Sequence, residues 1–146
     1  MSILGSNANG LNGKLDSLKN AIKSFDNPTC NAIQETKLRS YNFKIPGYQV
    51  FQNNRTGLGR GLITAIDENV GSVLVSNTDN EILVVQIDIE GLNIRVINAY
   101  GPQEDSETEI IHRFWQDLEK EVILAKEQKC KIFCKQMRMQ SLAAKL

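Results

Sequence analysis

Apolar residues recur along this chain with two different periods, and the alternation between them sets out the expected elements. Ser2 to Ala8 reads as a short strand, and Asn7-Ala8-Asn9-Gly10 turns the chain with residues that tolerate left-handed backbone. Leu11, Leu15, Leu18, Ile22 and Phe25 then repeat at three- and four-residue spacing, the stripe of a helix laid on a sheet. Asp26-Asn27-Pro28 stops it, and Thr29 to Gln34 is the next strand. A strand, a helix and a strand in that order predict parallel pairing.

From Tyr41 the period shortens. Tyr48 to Phe51, Leu62 to Ile66 and Val73 to Val75 are short strands, with Gly57, Gly59 and Gly61 punctuating a loop between the first two. Ile82 to Ile89 and Leu92 to Tyr100 flank the turn Glu90-Gly91 and predict an antiparallel hairpin. Ile82-Leu83-Val84-Val85 is continuous rather than alternating, which predicts a strand covered on both faces. Ser106 with Glu109 fits a capping box. Ile110, Ile111, Phe114, Trp115, Leu118, Val122 and Ala125 mark one face of a long helix, and Lys131 to Cys134 opens a last strand. The fold class is therefore α+β.

Composition changes this picture little. A chain of 146 residues with 41% hydrophobic content suits one packed domain. The 17 basic and 17 acidic residues balance, so bulk charge names no partner, although Lys126 to Lys145 forms a basic tail. Three cysteines, Cys30, Cys130 and Cys134, are expected as reduced, buried thiols of an intracellular protein, with no His or Cys nearby to complete a zinc set. No stretch is long and apolar enough to span a membrane, and the first residues lack a signal-peptide pattern.

Candidate chemistry lies at strand exits. Asn7 follows the first strand, Glu35 the second, and Asn98 with Tyr100 a late one. If these tips share a rim, Glu35 supplies a carboxylate to a hard cation such as magnesium, which often takes only one or two protein carboxylates. Asn7 adds a neutral amide, and Tyr100 a hydroxyl for a phosphate oxygen. Spacing alone leaves the simpler account open, in which Asn7 is a turn residue, Glu35 a solvated strand end and Tyr100 a rim aromatic. The Gly57-Gly59-Gly61 loop lacks the lysine and following helix of a phosphate-binding loop. His112, the single histidine, falls off its helix stripe.

Taken in order, Asn7-Ala8-Asn9-Gly10-Leu11, Ile33-Gln34-Glu35-Thr36-Lys37 and Asn98-Ala99-Tyr100-Gly101-Pro102 resemble the endonuclease/exonuclease/phosphatase superfamily. Within it they resemble most the apurinic-type endonuclease domain of non-LTR retrotransposons. Pro46-Gly47-Tyr48 and Gly61 to Ile66 fit the same domain. The resemblance covers roughly residues 2 to 134 and implies the first part of a four-layer α/β/β/α sandwich, left incomplete, with 135–146 as a divergent tail. It implies a DNA endonuclease assisted by Mg2+: Glu35 as metal ligand, Asn7 at the metal and phosphate, Tyr100 on the scissile phosphate, and Asn9 and Gln103 beside the substrate.

One segment departs from the family pattern. Where the family carries Gly-Asp-Phe-Asn or Met-Asp-Ala-Asn, this chain reads Gln136-Met137-Arg138-Met139-Gln140-Ser141. With Met137 aligned to the motif's Met, Arg138 replaces the Asp and Gln140 the Asn. Arginine neither accepts a proton nor ligates a cation. The family's later Ser-Asp-His motif has no counterpart, and His112 does not match it. The expectation is an inactive member, a non-catalytic retrotransposon-derived remnant or binding protein being the alternative, and a phosphatase for small substrates a further one. An incomplete sandwich is also expected to expose a broad apolar sheet face, open to self-association.

Overall fold

The first strand-helix-strand unit forms as its pattern requires. The computed structural model describes residues 2–40, 42–54, 61–78, 81–102 and 105–137, with residues 135–137 described as backbone alone. In it β1 (Ile3–Asn7) leads into α1 (Leu15–Ser24), and β2 (Cys30–Gln34) returns parallel to β1 with Asn7 opposite Gln34. β3 (Tyr48–Asn53) and β4 (Leu62–Asp67) complete a sheet of order β1-β2-β4-β3, in which β4 runs antiparallel to both neighbours.

A second sheet has the order β5-β6-β7-β8. β5 (Gly71–Thr78), β6 (Ile82–Ile89) and β7 (Leu92–Tyr100) form an antiparallel meander. The long helix α2 (Thr108–Glu127) then carries the chain to β8 (Lys131–Met137), parallel to β7. Each sheet thus contains one helical crossover, because only a crossover lets two parallel neighbours be joined.

Three apolar layers hold these parts together. Ile22, Leu11, Ile33, Ile63 and Ala65 pack α1 on the outer face of the first sheet. Cys30 and Ile66 of the first sheet meet Val85, Ile87, Ile94 and Val96 of the second. Phe114 and Leu118 of α2 cover Ile82, Val84, Ile97 and Ala99. The order is helix, sheet, sheet, helix. β6 is sandwiched between two of these layers, which is why its sequence does not alternate.

The sheets cover each other, so the expected broad apolar face is not found among the described residues. The chain lays down β1 to β4 as one sheet and then β5 to β8 as a second, whose inner face packs on the first. Exposed apolar residues cluster on the edge strand β5, where Val73, Leu74 and Val75 are 56%, 46% and 41% exposed beside a β-bulge. Bulges and short edges discourage strand addition.

Two smaller expectations also change. α2 starts at Thr108 with Glu107 as N-cap and no side-chain cap bond, so the Ser106–Glu109 box does not form. Glu109 instead meets Arg113 one turn on, at 3.2 Å on the surface. Of the cysteines, only Cys30 is fully buried, and burial pushes its thiol up to about 12. Cys130 is half-buried and Cys134 exposed, because both belong to the end of the sheet where β8 is an edge strand. Among the described residues no helix is long and apolar enough to cross a membrane.

Candidate functional site

Parallel pairing of β1 and β2 brings their exits to one rim, and the pairing continues past the strands. Backbone N–H groups of Ala8, Gly10 and Leu11 donate to the carbonyls of Gln34, Glu35 and Thr36 at 2.8, 2.7 and 2.9 Å. The turn this needs is made by Asn9 at φ 47° and Gly10 at φ 94°. Asn7 fixes it locally, its Oδ1 accepting the Asn9 N–H at 2.9 Å.

Glu35 leaves β2 in left-handed backbone, with φ 54°, and Lys37 repeats this at φ 55°. For non-glycine residues such a conformation costs on the order of 1 kcal/mol, and it concentrates where a side chain must be aimed. Here the half-buried Glu35 meets Tyr100, whose hydroxyl donates to Glu35 Oε1 at 2.5 Å. Tyr100 ends β7 and is buried, 4% exposed.

A polar bridge between the sheets sets this meeting. Gln34 Nε2 donates to Asn98 Oδ1 at 3.2 Å and to the Ala99 carbonyl at 2.9 Å. Asn98 Nδ2 donates to the Ile63 carbonyl at 2.9 Å and the Ile33 carbonyl at 3.3 Å. Both side chains are 0% exposed. Each lies just before a site residue, Gln34 before Glu35 and Asn98 two before Tyr100. In the dry layer between sheets such bonds are strong, and a register slip would leave them unmade.

The structure therefore brings Asn7, Asn9, Glu35 and Tyr100 to one rim. Gln103, Arg138 and Gln140 lie outside the described residues, as do Gly57 and Gly59. His112 is exposed on α2, which packs on the outer face of the second sheet. Lys37 was not anticipated at the site: its Nζ donates to Asn9 Oδ1 at 3.0 Å, and Lys14 Nζ reaches the Asn9 carbonyl at 3.3 Å. Glu81 was also missed. It is 0% exposed, and its carbonyl accepts the Tyr100 N–H at 3.1 Å. A charged residue directly ahead of the apolar run at Ile82 was the available signal.

The donor set can be tested against magnesium. Glu35 offers one carboxylate and Asn7 one amide oxygen, both hard donors. No group of three His, Cys, Asp or Glu side chains converges among the described residues. Beside Glu35, the buried Thr36 hydroxyl has no hydrogen-bond partner among the described residues. These residues fit a cation that keeps most of its water, as magnesium does, and do not fit a fully caged ion.

Thr36 also explains Gly61. That glycine sits at φ +139°, and a Cβ there would lie 2.4 Å from Thr36 Oγ1. Its carbonyl accepts the Thr36 N–H at 3.2 Å. Gly61→Ala is expected to cost about 2 kcal/mol or more through strain and overlap, read as a lower midpoint in urea unfolding.

No protein-family model and no curated protein matches the sequence. Solved structures do match. The catalytic domain of Xenopus laevis APE2 superposes with a TM-score of 0.69 at 20% identity, over 93% of this chain and 57% of that one. The endonuclease domain of TRAS1, a telomere-specific non-LTR retrotransposon, gives 0.57 at 24% identity, over 82% of this chain and 52% of that one. An AP endonuclease from Archaeoglobus fulgidus gives 0.56 at 25% identity, over 87% and 51%. The chain spans about half the length of these solved structures.

Proposed function

We propose that this chain, which carries the fold of the endonuclease/exonuclease/phosphatase superfamily, is the cation- and phosphate-holding part of a DNA endonuclease domain of the retrotransposon type. The observation that carries this is the 2.5 Å bond between Tyr100 and Glu35, made by residues from two strand ends in two sheets. Glu35 would hold magnesium, with Asn7 and water completing its shell. The ion would supply charge neutralisation at a phosphate oxygen.

The chain's own residues have distinct parts. The Tyr100 hydroxyl fixes the Glu35 carboxylate and can turn its proton to a non-bridging phosphate oxygen. Asn9 would flank the DNA backbone, and so, by the resemblance, would Gln103. Lys37 and Lys14, both anchored on Asn9, bring positive charge to the same rim and favour phosphates. Among the described residues nothing at the rim serves as a histidine base. A missing general base costs about 10²–10⁴ in rate. The reading is therefore a domain that binds cation and DNA phosphate and turns over poorly.

Supercoiled plasmid with magnesium separates binding from turnover. The chain is expected to retard DNA in a salt-dependent way, yet nick it no faster than Glu35→Ala does. Nicking by the native chain that disappears in Glu35→Ala and with a chelator would overturn the non-catalytic part of this reading. Absence of any DNA retardation at low salt would overturn the binding part.

A further inference from the structure

Within β7, away from the Tyr100 end, Arg95 is held where a charge is costly. It is 2% exposed on β7, and its hydrogen-bond acceptors are all neutral. Nη2 donates to Gln86 Oε1 at 2.9 Å and to Gln128 Oε1, and approaches Cys130 Sγ at 3.7 Å. Its Nε has no hydrogen-bond partner among the described residues. Among the described residues Arg95 takes part in no ion pair. The last carbonyls of α2 lend it partial negative charge, since Gln128 is the C-cap of that helix. That offsets only part of the cost of an uncompensated buried cation.

Cys130 is the group positioned to supply the missing anion. It is a free, half-buried thiol, with Sγ also 3.8 Å from Gln86 Oε1. We propose that Cys130 is an oxidative modification site, where hydrogen peroxide produces a sulfenate that pairs with the buried Arg95 guanidinium. The sulfur attacks one peroxide oxygen, an S–O bond forms and the O–O bond breaks. The departing hydroxide takes the thiol proton and leaves as water. Sulfur loses two electrons and peroxide gains them, so no other reactant is needed. The acid so formed releases its proton to solvent because its oxygen lies against the guanidinium. Cys134 provides an internal comparison, being more exposed but four residues along the chain and not bonded to Arg95.

Brief peroxide treatment of the full chain, trapping of sulfenate with dimedone and peptide mass spectrometry test this. Cys130 is expected to be labelled at least several-fold more than Cys134, and Cys30 not at all. Gln128→Glu, at an exposed position, places a carboxylate on the guanidinium without removing it, and is expected to bring Cys130 down to the level of Cys134. The oxidised native chain is expected to melt about 2–4 °C higher, as neutralising a buried charge would do. Equal labelling of Cys130 and Cys134, labelling unchanged by Gln128→Glu, or a lower melting temperature after oxidation would each overturn the proposal.

Discussion

Asn98→Ala is expected to lower the unfolding free energy by about 3 kcal/mol, among the larger effects of any single substitution. The Asn98 amide joins both sheets, donating to Ile63 and Ile33 carbonyls in one and accepting from Gln34 across the interface. Its loss strips partners from groups in a layer that water does not reach, and leaves a cavity in place of the amide. For a chain of this length the melting temperature should fall by roughly 6–12 °C. Urea unfolding checks it: the midpoint should drop with an unchanged slope. A loss under about 1 kcal/mol would mean that the bridge is ornamental to the fold.

Glu35→Gln is expected to abolish stabilisation by magnesium while leaving the fold intact. The substitution keeps the size of the side chain and an acceptor for the Tyr100 hydroxyl, but removes the Glu35 carboxylate that meets Tyr100 at the rim. A cation that binds the native state alone stabilises it in proportion to the logarithm of its concentration, by about 2.7 kcal/mol at a hundred times its dissociation constant. The native chain should therefore melt progressively higher as magnesium rises through the millimolar range, and Glu35→Gln should not. Tyr100→Phe should retain the effect in weaker form, since it frees the carboxylate but unfixes it. Melting curves of the three chains across a magnesium series check this.

Local periodicity made most of the fold legible. The stripe through Leu11, Leu18 and Ile22 buries against the first sheet as its spacing requires, and Phe25 is exposed because α1 has ended by then. The unbroken run at Ile82 to Val85 reported a strand covered twice, which the two apolar layers on β6 explain. Pairing of the sheets was not legible. It is written in polar residues at inward positions, and Gln34 and Asn98 look in sequence like any polar strand end. Their bond spans 64 residues, which no local pattern encodes. The same holds for the contact of Glu35 with Tyr100 across 65 residues. Their places at strand exits and the order of three short motifs suggested that those two belonged together. No local pattern marks Arg95 of β7 as buried, and its burial beneath the end of α2 follows from a crossover that periodicity does not position. The unformed Ser106–Glu109 box errs the other way, since Glu107 became the N-cap in its place.

The most direct test of the cation site is paramagnetic. Manganese substitutes for magnesium at oxygen sites and broadens NMR signals of nearby nuclei. Sub-stoichiometric manganese added to the isotopically labelled chain should broaden the amides of Asn7 to Asn9, Glu35 and Tyr100 before others, and excess magnesium should reverse it. The pattern should vanish in Glu35→Gln. Broadening centred elsewhere, or the same broadening in Glu35→Gln, would contradict the assignment of Glu35 as the ligand on which the proposed function rests.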